Sequence, residues 1–197
     1  SSNRYCPVYL HFTSMKNTSL LKLIASRLGE VPKLSKERVI GQILEKTQNS
    51  EVMTVVAIDE SHLLESESLT DLRLLVSSAL DDNPPFKLLL VGQDSLRQQL
   101  KRNKHCDLLQ RINVRYQLRP LTKSQTVSYI DFQMKVAGAC EKVFDSEVKN
   151  AIFDYSHGIP RQINNVASAC LLNAVGQNAQ KINLDLFNQT MAEFQID

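Results

Sequence analysis

The sequence predicts an α/β fold, with a parallel sheet flanked by helices over residues 1–120 and an all-α subdomain over 121–197. Three observations predict it. Met53-Thr54-Val55-Val56-Ala57-Ile58 is a near-continuous apolar, β-favouring run that ends in two adjacent carboxylates, Asp59 and Glu60. Such a run reads as a strand buried on both faces, as in a parallel sheet covered by helices. Strand-like and helix-period segments alternate as far as Leu118, and after Arg119-Pro120-Leu121 only helical periodicity remains.

Taken in order, Tyr5 to Phe12 reads as the first strand. Ser19 to Leu28 follows as a helix, with Leu20, Leu21, Leu23, Ile24, Ala25 and Leu28 apolar and Gly29 as its stop. Ser35 to Lys46 is a second helix, turning Val39, Ile40, Ile43 and Leu44 inward. Beyond the acidic strand, Leu69, Leu72, Leu75, Val76 and Ala79 form one side of a helix that stops before Asp81-Asp82-Asn83-Pro84-Pro85. Phe86 to Val91 is a near-continuous apolar strand ended by Gly92-Gln93. Ser95 to Lys101 is helical, and Ile112 to Leu118 is expected as a further buried strand. The second part reads as four helices, from Thr122 (with Val127, Tyr129, Ile130, Phe132 and Met134), Asp145 to Tyr155, Pro160 to Ala174 and Asn183 to Phe194.

Composition narrows the class. Hydrophobic residues at 43% and charged residues at 22% are ordinary for a soluble globular chain. No apolar run approaches a membrane span, no basic-then-apolar leader precedes the first strand, and the expected compartment is the cytoplasm. A net charge of +2 does not argue for nucleic acid, and the basic run Arg97 to Lys104 reads first as a solvated helix face. Cys6, Cys106, Cys140 and Cys170 lack metal-site spacing, His11, His62, His105 and His157 complete no metal pattern, and reduced thiols are the simplest account.

The carboxyl ends of parallel strands open onto the crevice where α/β sheets bind ligands, so Asp59 and Glu60 are placed for chemistry there. Asp59 has the alternative of capping the segment that follows. Gln93 ends the next strand, as a polar group for the same crevice or as a plain turn residue. Arg111, in Leu108-Leu109-Gln110-Arg111-Ile112, precedes the segment expected as a further strand, with Arg115 and Arg119 as nearby competitors. It reads as a cation free to meet an anionic partner, or as a surface ion-pair partner. Ser156-His157-Gly158-Ile159-Pro160-Arg161 is a turn into a helix. Proline suits the first helical position, and an arginine in that first turn opposes the helix dipole unless an anion joins it.

In this order and spacing, Asp59-Glu60, Gln93, Arg111 and Gly158-x-Pro160-Arg161 resemble an AAA+ ATPase from its second strand to its lid. More narrowly, Val55-Val56-Ala57-Ile58-Asp59-Glu60-Ser61-His62-Leu63-Leu64, Leu72-Arg73-Leu74-Leu75, Leu90-Val91-Gly92-Gln93, Gln110-Arg111-Ile112 and Gly158-Ile159-Pro160-Arg161-Gln162-Ile163-Asn164 resemble the ExeA group. That group holds secretion-pathway ATPases and transposon helper ATPases. The resemblance implies ATP and Mg²⁺ as ligands, Asp59 on the metal as part of Walker B, and Glu60 activating water. It further implies Gln93 as sensor 1, Arg161 as sensor 2, and Arg111 as a finger acting on a neighbouring subunit, a device worth ~10³–10⁵ in rate.

It also implies a homo-oligomer, with DNA and a transposase as partners in the mobile-element branch. Asp71-Leu72-Arg73-Leu74-Leu75 and Tyr129-Ile130-Asp131-Phe132-Gln133-Met134 favour that branch. A secretion-system partner protein and a non-catalytic scaffold module are the alternatives. None of the six glycines lies in a G-x-x-x-x-G-K-[ST] phosphate loop. The Ser-Ser start running almost at once into a strand is therefore read as a domain entered after its first strand, loop and helix. ATP hydrolysis is expected of a protein that supplies that loop, and not of these residues by themselves. In sheets of this kind the first strand lies between Phe86–Val91 and Ile112–Leu118. Without it those two segments are expected to close together, to take another chain into the slot, or to rearrange.

Overall fold

The computed structural model describes residues 4–11, 19–78, 86–139 and 142–194. The chain divides into two compact units, Ser1–Arg115 and Tyr116–Asp197.

The first unit holds three parallel strands, β1 (Tyr5–His11), β2 (Met53–Asp59) and β3 (Phe86–Leu90), in the order β1-β2-β3. The helices are α1 (Leu20–Arg27), α2 (Lys36–Gln48), α3 (Ser66–Ser78), α4 (Asp94–Leu100) and α5 (Cys106–Gln110). Local chemistry sets their ends. Ser35 accepts the Arg38 N–H at the start of α2, and α1 runs out into Gly29 at φ +85°. Buried residues Leu20, Leu21, Ile24 and Ala25 on α1, Val39 and Ile43 on α2, and Leu69, Leu72 and Leu75 on α3 join Val8, Leu10, Val56 and Ile58 in one core. Each fully buried Val, Leu or Ile among them is worth about 1.5–3 kcal/mol of transfer free energy. Ala79, expected on the apolar side of α3, lies outside the described residues.

Two expectations are corrected here. The acidic strand is not buried on both faces. Thr54, Val56 and Ile58 are buried, whereas Met53, Val55, Ala57 and Asp59 are only partly covered. Their register neighbours are open: Tyr5 and Tyr9 on β1 are 61% and 58% exposed, and Leu89 on β3 is 51% exposed. The described helices therefore cover one face of the sheet.

The second correction is Ile112 to Leu118, which forms no strand. Val114, Tyr116 and Leu118 stand 83%, 86% and 84% exposed. A strand needs a neighbour for its N–H and C=O groups, and β3 pairs only with β2 among the described residues. Of the outcomes foreseen for this region, the two segments have not closed on one another.

The second unit holds α6 (Lys123–Val136), α7 (Ser146–Ser156), α8 (Pro160–Gly176) and α9 (Leu184–Phe194). Its core gathers Ile130, Phe144, Val148, Ile152, Ile163, Val166, Cys170 and Ile182. A capping box opens α6: the Thr122 side chain takes the Gln125 N–H and the Gln125 side chain takes the Thr122 N–H. The apolar residues of α6 do not all point inward. Thr126 and Ile130 are buried, but Phe132 is 61% exposed. Cys6, Cys106 and Cys170 are free thiols, and Cys140 lies outside the described residues.

Candidate functional site

The site begins at the carboxyl ends of β1 and β2. Parallel register sets His11 beside Asp59 and Tyr9 beside Ala57. Tyr9, His11 and Asp59 therefore share the open face of the sheet, because side chains alternate along a strand. The Tyr9 hydroxyl donates to Oδ2 of Asp59 at 2.7 Å, and Nδ1 of His11 lies 3.7 Å from the same oxygen. Oδ1 of Asp59 accepts the Glu60 N–H at 2.8 Å.

These donors, first the Tyr9 hydroxyl and then the Glu60 amide, hold the Asp59 carboxyl below its ordinary range. The same contact pushes the Tyr9 phenol up. Asp59 is thus a secure anion with no Lys or Arg ion-pair partner among the described residues.

Glu60 leaves the strand in the left-handed region, at φ 53° and ψ 32°. A non-glycine residue held there costs of the order of 1–3 kcal/mol, and such strain collects at functional sites. The surrounding turn enforces it. The Val91 N–H donates to the Ile58 carbonyl, the Ser61 N–H to the Val91 carbonyl, and the fully buried Ser61 hydroxyl to the Ile58 carbonyl. Gly92 lies against this turn, where a Cβ would stand 3.0 Å from the His62 nitrogen. The ends of β2 and β3 are knitted together, and Glu60 projects from the knot with its side chain 39% exposed.

Gln93 follows directly as the N-cap residue of α4, but its side chain makes no capping hydrogen bond. Asp59, Glu60 and Gln93 therefore come from the ends of two adjacent strands. Arg111 is the C-cap residue of α5, exposed, with no guanidinium hydrogen bond or ion pair among the described residues. Its competitor Arg115 is committed, donating from Nη2 to the Leu109 carbonyl at 2.9 Å.

Arg161 lies in the second unit, in the first turn of α8 behind Pro160 at the helix start, and is exposed. The turn before it is tightly built. His157 at φ 50° and Gly158 at φ 74° are successive left-handed residues, and the Gly158 carbonyl accepts the Leu121 N–H at 2.9 Å. A Cβ on Gly158 would fall 1.9 Å from the Leu121 oxygen, so only glycine fits.

Sequence reasoning missed Tyr9, His11 and His62 as neighbours of the acidic pair. The available signal was the period-2 face Tyr5, Pro7, Tyr9, His11, which becomes informative only once β1 is paired in parallel with β2. His62 closes the group, with Nδ1 at 3.3 Å from Oε2 of Glu60.

Among the described residues no three His, Cys, Asp or Glu side chains gather to hold a metal by themselves. Mg²⁺ keeps most of its waters and needs one or two carboxylates beside phosphate oxygens. Asp59, anionic and partly open, fits such a role.

Comparison with known proteins agrees with this architecture. A family model described as an AAA domain matches residues 3–100. Over 129 residues, 66% of this chain, the sequence is 33% identical to General secretion pathway protein A of Aeromonas hydrophila. The chain is an ExeA-like AAA+ domain.

The match spans only 24% of that secretion protein's length. The fold is shared with the Aeropyrum pernix ORC1 protein solved in complex with DNA, at TM-score 0.70 and 14% identity, over 96% of this chain and 50% of that one. It is shared too with the Thermotoga maritima RuvB Holliday junction branch migration motor, at TM-score 0.62 and 21% identity, over 96% of this chain and 62% of that one. At such identities the likeness concerns the fold alone. No helix of the described residues is long and apolar enough to cross a membrane.

Proposed function

We propose that this AAA+ domain is the ATP-binding and hydrolysing part of a homo-oligomeric machine, with residues 1–120 as the nucleotide core and 121–197 as the lid. The observation that carries the reading is the acidic pair. Asp59 is held as an anion at the open end of a parallel sheet, and the next residue, Glu60, is held in a strained backbone conformation with its side chain 39% exposed. Two carboxylates in different environments suit two tasks. Asp59 would hold Mg²⁺, whose charge neutralises phosphate oxygens, and Glu60 would orient the attacking water.

Gln93, whose side chain makes no capping hydrogen bond among the described residues, is the residue proposed to contact the γ-phosphate or that water. Arg161 is proposed to meet phosphate at the start of α8, where the helix dipole favours an anion. Arg111, exposed and without an ion pair among the described residues, is proposed as the finger offered to a neighbouring subunit, a reading strengthened by the commitment of Arg115 elsewhere. The phosphate cradle itself has no counterpart in these 197 residues.

A Mg²⁺-ATP titration of this chain beside the product of its complete reading frame tests the proposal. Binding by the longer protein alone places the phosphate loop outside these residues. Binding by the short chain that is lost in Arg161→Ala means a nucleotide site of another design. Absence of binding by both overturns the proposal in favour of a scaffold module.

Of the two cellular roles, the likeness to General secretion pathway protein A supports work on a secretion-system partner from the cytoplasm. The transposition role, with DNA and a transposase as partners, rests on the local sequence style of Asp71–Leu75 and Tyr129–Met134. It requires DNA affinity that falls steeply with salt through the exposed Lys101, Arg102 and Lys104.

A further inference from the structure

We infer that His62 is a positioning residue for Glu60, tying that carboxylate to the turn that carries Gln93 through a single ring nitrogen. The inference rests on the reading of Glu60 as the group that orients water, and deepens it by naming what sets its orientation. Nδ1 of His62 lies 3.3 Å from Oε2 of Glu60 and 3.5 Å from the backbone nitrogen of Gln93. The ring is largely enclosed, its side chain 11% exposed against 39% for Glu60. Its backbone is held from two sides, by the Gln99 side-chain amide donating to the His62 carbonyl at 3.0 Å and by Gly92 against the His62 amide.

One nitrogen cannot satisfy both neighbours. With Nδ1 bare, its lone pair accepts the Gln93 N–H and offers Glu60 nothing. With a proton on Nδ1, it donates to the Glu60 carboxylate, and the Gln93 N–H loses its acceptor. The two arrangements are tautomers of the same neutral ring. One ring nitrogen releases a proton to solvent as the other takes one up, so the charge is unchanged.

In the first arrangement the Gln93 turn is pinned and the Glu60 side chain is free to face the sheet edge. In the second Glu60 is drawn back onto the ring and the Gln93 N–H is left without its acceptor. Glu60 is a suitable target for such control, because its backbone is already fixed in a strained conformation and only its side chain remains to be set. Glu60 and Gln93, the two groups proposed to meet water and γ-phosphate, are therefore set together.

The test is ¹⁵N NMR of the histidine rings in the 197-residue chain and in Glu60→Ala, which removes an open side chain and should keep the fold. The expected result is a move of the His62 Nδ1 resonance towards the unprotonated range. A downfield move of the Gln93 amide proton should accompany it as its hydrogen bond strengthens. Unchanged His62 and Gln93 resonances would overturn the inference.

In the product of the complete reading frame, His62→Ala should lower kcat roughly 10–100-fold with KM for Mg²⁺-ATP little changed. His62→Asn, which keeps an acceptor and a donor near the Nδ1 position, should recover part of the loss and serves where the alanine variant fails to fold. A kcat within twofold of the parent in a folded His62 variant would also overturn it. If the complete protein hydrolyses no Mg²⁺-ATP, the function proposed above fails, and the NMR result alone decides whether His62 links Glu60 to Gln93.

Discussion

Replacing Gly158 by alanine should unfold the helical unit at a much lower temperature, and the structure sets the size of the effect. Gly158 sits at φ 74°, a conformation that costs an L-residue about 1–2 kcal/mol. The added Cβ would lie 1.9 Å from the Leu121 oxygen and 2.9 Å from both the Leu121 nitrogen and carbonyl carbon. All three are backbone atoms, so no side-chain rotation relieves the clash. The chain must part, which breaks the hydrogen bond from the Leu121 N–H to the Gly158 carbonyl. Leaving such buried groups unsatisfied costs about 1–3 kcal/mol.

Together the terms amount to roughly 2–5 kcal/mol, in the upper range of single-residue effects. For a unit of this size each kcal/mol lowers Tm by about 4–8 °C, so a fall of at least ~8 °C is expected. Calorimetry of the whole chain measures the transition, and amide hydrogen exchange at Leu121 reports the broken bond. A Tm change under about 4 °C with Leu121 protection intact would refute the argument.

Three further outcomes follow from local geometry. Thr122→Ala should cost the helical unit about 1 kcal/mol through loss of the α6 cap, read by urea denaturation, and Gln125→Ala should add less on top because the two residues act as one box. His105 is buried with Nε2 at 2.9 Å from the Ser66 hydroxyl, and burial, then Lys104 and Arg102, hold its pKa below the ordinary histidine value. A histidine whose folded pKa is depressed contributes its full stability above the unfolded value of about 6.5 and loses it as pH falls below that towards the folded value. Denaturation midpoints should therefore drop between about pH 7.5 and 5.5 in the parent and change less in His105→Gln.

Tyr9→Phe removes the principal donor to Asp59, so the Asp59 carboxyl should titrate closer to its ordinary value of about 3.9 in ¹³C NMR. Its stabilising contribution, present above the unfolded pKa and lost as pH falls through the folded pKa, should vanish at a higher pH in the variant. An unmoved Asp59 titration would mean that the Glu60 amide alone sets it.

Residues 20–27, 36–48 and 66–78 could be recognised as helices because the spacing of their apolar residues and their flanking Ser35 and Gly29 act over one or two turns. The acidic strand end was legible for the same reason, since an apolar, β-favouring run closed by two carboxylates marks a strand and its end, although it did not show that only one face is covered. The segment 112–118 has an equally strand-like alternation, yet it forms no strand, because a strand exists only with a partner for its backbone. The exposed Phe132 shows the same limit on a helix, where periodicity marks an apolar side without saying what covers it.

What the sequence by itself determined is the order of elements, the change from α/β to all-α, and the placing of Asp59, Glu60, Gln93 and Arg161 at element ends. These follow from interactions within a few residues of the chain. Only the tertiary structure decided that Tyr9, some 50 residues before Asp59, grips its carboxylate. It alone set His62 between Glu60 and Gln93, and left one face of the sheet open. Those facts depend on strand register and on the approach of distant backbones. A shift of one residue in β1 would turn Tyr9 and His11 to the buried face, and no local pattern encodes that choice.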